Sequence, residues 1–116
     1  MTQVSIYHNP KCSKSRATLA LLESKGVAPR VIEYLKTPPR AAELDRILKL
    51  LDLEPRALMR KNEAEYRDLG LDDAKLTRAQ LIEAMVENPR LIERSIVLAN
   101  GRAALGRPPE DVIKIL

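Results

Sequence analysis

The sequence predicts a small α/β fold, a mixed β-sheet with helices packed on it and an all-helical stretch between the two halves of the sheet. Three observations carry that expectation. A strand, a helix and a strand follow one another closely between Val4 and Tyr34. The stretch at about 40–90 shows only helical signatures. Near the C-terminus, Asn100-Gly101 stands between two short apolar runs. A chain of 116 residues has room for one core of ordinary size, so residues 1–116 are expected to form one domain with a helical insertion at about 40–90.

The elements follow in order. Val4-Ser5-Ile6-Tyr7 alternates apolar and polar residues and predicts the first strand, stopped by His8-Asn9-Pro10. Beyond Cys12, residues Ala17, Leu19, Ala20, Leu21 and Leu22 predict a helix ending at Lys25-Gly26, a cation followed by a glycine suited to a left-handed cap. Arg30 to Tyr34 is the second strand, and the close spacing implies a parallel pair joined by a right-handed crossover. Thr37-Pro38-Pro39 breaks the chain. Leu44, Ile47, Leu48 and Leu51 then recur at i, i+3, i+4 and i+7, which marks an amphipathic helix. Shorter helical pieces are expected around Pro55 to Arg60 and from Glu63 to Leu69, the second closed by Gly70. Thr77 with Gln80 three residues on is a capping box, opening a helix that runs to Asn88-Pro89. Asn100-Gly101 predicts a type I′ hairpin between Ile96–Ala99 and Arg102–Leu105. A last helix from Pro108 is expected to present Val112, Ile113, Ile115 and Leu116 to the sheet. The order βαβ, helical block, ββα is the thioredoxin-like order with an insertion.

Composition narrows the function. With 45% hydrophobic residues the chain can fold without disulfides, and its single cysteine forms none internally. One Cys and one His cannot close a four-ligand zinc site, so a structural metal is not expected; a bound cofactor is not expected either. No apolar run reaches membrane-spanning length and the N-terminus lacks a signal-peptide pattern, so no membrane partner is expected and the cytoplasm is the default location. Three tyrosines with no Phe or Trp leave few stacking platforms, which argues against nucleic acid. The net charge of +4 is unevenly spread: Lys11, Lys14 and Arg16 crowd Cys12 with no acidic residue before Glu23, and four arginines between Arg90 and Arg107 face only Glu93.

Cys12 falls between a strand end and a helix start, where free N–H groups and the positive end of the helix favour negative charge on sulfur. The first helical turn carries Lys14 and Arg16 where acidic residues are usual, which points to an anion site. Cys12-Ser13-Lys14-Ser15 is C-x-x-S, so an oxidised Cys12 has no resolving thiol in its own chain and any redox cycle needs external thiols. A phosphatase loop requires arginine six residues after the cysteine, and that position is Thr18. His8 either assists Cys12, as base or as stabiliser of its thiolate, or is a hydrogen-bonded loop residue. Arg60, Arg94 and Arg107 stand out; guanidinium groups converging on a cysteine would bind a tetrahedral oxyanion.

Together, His8-Asn9-Pro10-x-Cys12, Tyr34-Leu35-x-x-Pro38-Pro39, Arg56-Ala57-Leu58-Met59-Arg60, the Leu81-Ile82 helix ending in Asn88-Pro89, Glu93-Arg94-x-Ile96-Val97 and Gly106-Arg107-Pro108-Pro109 resemble the glutathione- and glutaredoxin-dependent arsenate reductase family across essentially the whole chain. The resemblance implies a thioredoxin-like fold, Cys12 as nucleophile, and His8 near its thiolate. It also implies Arg60, Arg94 and Arg107 as ligands of arsenate, with glutathione as co-substrate and glutaredoxin as partner. Two departures stand out. Ser-Lys-Ser after Cys12 looks like a short branch of the family, and Ser95 replaces a proline that the family typically holds in the cis form. A cis bond before a non-proline residue costs about 2.5–4 kcal/mol, so a trans Arg94-Ser95 peptide and weakened turnover are expected. The alternatives are a non-catalytic thioredoxin-like redox regulator that contacts RNA polymerase, whose relatives usually carry C-x-x-C, and a thiol-transfer protein acting on glutathionylated partners.

Overall fold

The computed structural model describes residues 3–93 and 95–116. Four short strands, β1 (Ser5–His8), β2 (Arg30–Glu33), β3 (Ile96–Ala99) and β4 (Arg102–Leu105), form one sheet in the order β2-β1-β3-β4. β1 is parallel to β2 and antiparallel to β3, and β3 is antiparallel to β4, so the sheet is mixed as expected. The first strand ends one residue later than its side chains suggest: His8 closes β1 opposite Glu33. A polar side chain does not interrupt a backbone ladder, whereas Pro10, without an N–H, cannot extend one.

Helix α1 (Ser13–Ser24) connects the parallel pair β1 and β2. It ends in a Schellman motif: Gly26 N–H donates to Glu23 O (3.0 Å), Val27 N–H to Leu22 O (3.1 Å), and Gly26 takes φ +76°. Ile6, Val97 and Ala104 lie side by side in register. With Val4 and Ala99 they pack against Leu19 and Leu22 of α1 and against Val112 and Ile115. Each valine, leucine or isoleucine among them contributes roughly 1.5–3 kcal/mol when fully buried. The last two belong to a 3₁₀ segment, Pro109–Ile115, where an α-helix is expected. A period of three aligns Val112 with Ile115 and leaves Ile113 half-buried and Leu116 exposed, so two of the four expected apolar residues reach the core. The hairpin is type I′ as expected, with φ +55° at Asn100 and +70° at Gly101. Asn100 Nδ2 also donates to Ile115 O (2.9 Å), tying the hairpin tip to the last turn.

The described residues divide into two compact units. One holds the sheet, α1 and the C-terminal segment; the other is Pro38–Glu93. This second unit contains α2 (Ala41–Leu51), α3 (Ala64–Asp68), α4 (Arg78–Glu87) and two 3₁₀ turns, Pro55–Leu58 and Pro89–Leu91. α2 buries Leu44, Ile47 and Leu48, as its periodicity predicts. The capping box opens α4: Gln80 N–H donates to Thr77 Oγ1 (3.2 Å) and Thr77 N–H to Gln80 Oε1 (2.8 Å). Asp45 accepts from Arg78 Nε (2.8 Å) and lies 3.0 Å from Lys49 Nζ, which links α2 to α4. The two 3₁₀ turns are joined by a β-bridge of Met59 with Ile92, made by Arg60 N–H to Leu91 O (2.7 Å) and Glu93 N–H to Leu58 O (2.8 Å).

Gly106 follows β4 and donates its N–H to Ser95 O (2.8 Å). A Cβ there would stand 2.5 Å from Thr18 Oγ1 and 3.1 Å from Ser95 Oγ. Overpacking of this kind costs about 1–3 kcal/mol. Gly106→Ala is therefore expected to lower the urea midpoint, and adding Thr18→Ala to recover part of the loss. A Gly106→Ala protein as stable as the parent contradicts this packing.

Candidate active site

Asn9, Pro10, Lys11 and Cys12 form the turn from β1 into α1. Asn9 holds it twice: its side-chain Oδ1 accepts from Lys11 N–H (3.1 Å) and its carbonyl accepts from Cys12 N–H (3.0 Å). Proline after asparagine suits the second position of such a turn, because its ring presets φ. Arg16 Nη1 donates to Pro10 O (2.9 Å), so this cation also supports the loop.

Cys12 is the N-cap residue of α1, in extended conformation, and its carbonyl accepts the first helical bond from Arg16 N–H (3.0 Å). No side chain caps this helix end and its first turn contains no acidic residue. The N–H groups of the first turn have no intrahelical acceptor, and the helix dipole places partial positive charge there. Cys12, 9% exposed as a residue, starts its side chain from that end.

His8 and Ser15 complete the turn from inside. Ser15 is fully buried and its Oγ lies 2.6 Å from His8 Nδ1. The same oxygen accepts from Asn9 N–H (3.0 Å). Burial lowers the His8 pKa below its ordinary value of 6.5; the Glu33 carboxylate opposes this and the Arg16 charge reinforces it.

His8 and Cys12 thus occupy the two ends of one pinned turn. Arg107 belongs to the same unit: it is exposed and follows Gly106, whose Cα faces Thr18 in the second turn of α1. Arg60 belongs to the helical unit, where its Nη2 lies 2.8 Å from Glu63 Oε1; the other oxygen of Glu63 is 3.2 Å from Arg90 Nη2. Arg94, and with it the Arg94-Ser95 peptide, lies outside the described residues. Three buried hydroxyl residues were not marked by the apolar pattern: Ser15, Thr18 and Ser95. Thr18 Oγ1 donates to Lys14 O (2.9 Å), whereas Ser95 Oγ has no hydrogen-bond partner among the described residues. For Ser15 a signal existed in its position three residues after the N-cap, from which a side chain can fold back onto the preceding loop.

A mixed sheet whose first strand delivers an unpaired cysteine to the N-cap of the next helix defines a thioredoxin-like thiol protein. The model of the ArsC family matches residues 7–115, and the chain belongs to that family. It is 48% identical over 117 residues to the protein named Arsenate reductase of Neisseria meningitidis serogroup B, covering 100% of both chains. It is 55% identical to Escherichia coli K12 YfgD, named an uncharacterized protein, over 98% of this chain and 97% of that one. The structure named Arsenate reductase from Vibrio cholerae superposes with a TM-score of 0.97 at 56% identity, covering 99% of this chain and 98% of that one.

Two outcomes are expected. A histidine whose pKa is lower in the folded state adds stability that is complete above about 6.5 and is lost as pH falls below it. Between pH 7 and 5 the melting temperature of the parent should fall more steeply than that of His8→Asn; parallel slopes would count against a buried neutral imidazole. Ser95→Ala removes a buried hydroxyl that has no partner among the described residues and should raise stability by about 1 kcal/mol in thermal unfolding. A loss instead would show that the hydroxyl is paired.

Proposed function

We propose that this protein reduces arsenate to arsenite, with Cys12 as the nucleophile. The observation that carries the reading is Cys12 itself, an unpaired cysteine held at an uncapped, cation-flanked helix N-terminus by a hydrogen-bonded turn. Full-length relatives named arsenate reductase supply the substrate.

Arsenate carries between one and two negative charges at neutral pH, so a thiolate approaches arsenic only where that charge is screened. In this reading the free N–H groups of α1, with Lys14 and Arg16, screen it from the helix side, and Arg107 adds a guanidinium. Arg60 and Arg94 join them by resemblance. Cys12 forms a sulfur–arsenic bond and one arsenate oxygen leaves as water. Glutathione displaces a second oxygen in the same way. A glutaredoxin thiolate then attacks the glutathionyl sulfur, and the electron pair of that sulfur–arsenic bond stays on arsenic, taking it from As(V) to As(III). A mixed disulfide forms between glutaredoxin and glutathione. Water finally displaces Cys12 and releases arsenite. The second and third thiols must come from outside because the chain has one cysteine, and a glutathione-rich cytoplasm supplies them. No resident cofactor takes part.

The test is arsenite production with glutathione and glutaredoxin. Turnover is expected in the parent and none above background in Cys12→Ser. Losing one charged contact to the anion is worth roughly 1.5–3 kcal/mol, so Arg107→Ala should lower kcat/KM about tenfold to a hundredfold. Glutathione–disulfide exchange without arsenate-dependent turnover would replace this reading with thiol transfer.

A further inference from the structure

We infer that Ser15 holds His8 with Nδ1 as a hydrogen-bond acceptor and the ring proton on Nε2, so that His8 serves the Cys12 reaction as an N–H donor and not as a base. The functional half of this inference rests on the arsenate reductase reading; the proton position rests on the hydrogen bonds alone.

A serine hydroxyl has one hydrogen to give and two lone pairs. Asn9 N–H, which can only donate, takes one lone pair of Ser15 Oγ at 3.0 Å. The second contact is His8 Nδ1 at 2.6 Å, and among the described residues the Ser15 side chain makes no other hydrogen bond. Were Nδ1 protonated and donating, the hydroxyl hydrogen of Ser15 would be left without an acceptor, and Ser15 is fully buried. Leaving a buried donor unpaired is strongly disfavoured. With the hydroxyl donating to Nδ1, the backbone amide, the hydroxyl and the ring nitrogen are all satisfied. A neutral imidazole that accepts at Nδ1 carries its proton at Nε2.

The charged groups facing His8 are Glu33, its partner across β2, and Arg16 from the first turns of α1. They act in opposite directions, and burial of the ring decides for the neutral form. An Nε2–H can donate to a thiolate or to an arsenate oxygen, but it has no lone pair to receive the Cys12 proton. That proton must pass to water or to an arsenate oxygen. Ser15 is then a positioning residue in its own right, and the serine of C-x-x-S is chosen for a hydroxyl donor stronger than a thiol.

His8 is the single histidine of the chain, so its ring signals need no assignment. In ¹⁵N NMR of the protein above pH 7, we expect a pyridine-like Nδ1 and a pyrrole-like Nε2. A pyrrole-like Nδ1 overturns the inference whether or not arsenate is turned over, and absent turnover with the expected spectrum counts against the functional reading alone. In Ser15→Ala the two tautomers should mix and the His8 titration midpoint should rise, because a bond that favours the neutral ring is gone; an unchanged spectrum removes Ser15 from the role. If that variant fails to fold, the spectrum of the parent still decides the tautomer. In the turnover assay, Ser15→Ala and His8→Gln should each lower kcat, and the double variant should fall little further than either alone; additive losses contradict a shared action.

Discussion

Where β1 passes into α1, an exposed turn covers the buried His8 and Ser15, and the local structure follows from how the polar groups of both are satisfied. The backbone must turn within four residues, and one of them is a proline. Asn9 therefore serves its neighbours with both side chain and carbonyl, Arg16 reaches back to Pro10, and the Ser15 hydroxyl takes the remaining amide. Cys12 is fixed through its own backbone N–H and carbonyl and through the bonds of its neighbours. That suits a nucleophile, whose sulfur must stay uncommitted while its position is held.

Much of the architecture was legible in the sequence because its strongest signals are local. Asn100-Gly101 needs two positive φ angles that few other pairs tolerate, and Thr77 with Gln80 satisfies helix N–H groups that nothing else reaches. The apolar spacing of α2 survives intact in its buried face. The C-terminal segment was misread because apolar residues at 112, 113, 115 and 116 fit an α-helical period as well as a three-residue one, and only the packing on Ile6 and Val97 selects between them. The site was legible in part: Cys12 was placed by its position before a helix. The buried face of α1 was not, since it begins with Ser15 and Thr18, and a search for apolar periodicity passes over hydroxyls.

Charge on a sequence is a poor guide to charge at a site. Arg78 lies against Asp45, Arg60 and Arg90 share Glu63, and Arg16 gives part of its guanidinium to a loop carbonyl. For Arg60 this pairing has chemical weight. An anion that recruits it must compete with a carboxylate 2.8 Å away, so binding there is an exchange of partners for a guanidinium already matched. Ser95 is the opposite case, a buried hydroxyl with no hydrogen-bond partner among the described residues.

The hairpin-bearing half of the sheet is separated from β1 by the whole of Pro38–Glu93, which has its own internal packing and its own β-bridge, from Met59 in its middle to Ile92 beside its end. Pairing β3 with β1 closes a long loop, and the entropy of closure grows with the number of flexible residues enclosed. If the helical unit orders first, with Met59 bridged to Ile92, those residues cease to count as flexible chain and the strand pairing closes a shorter flexible loop. An insertion that looks like an ornament on a small sheet is then a means of shortening the chain's search for its central strand pair.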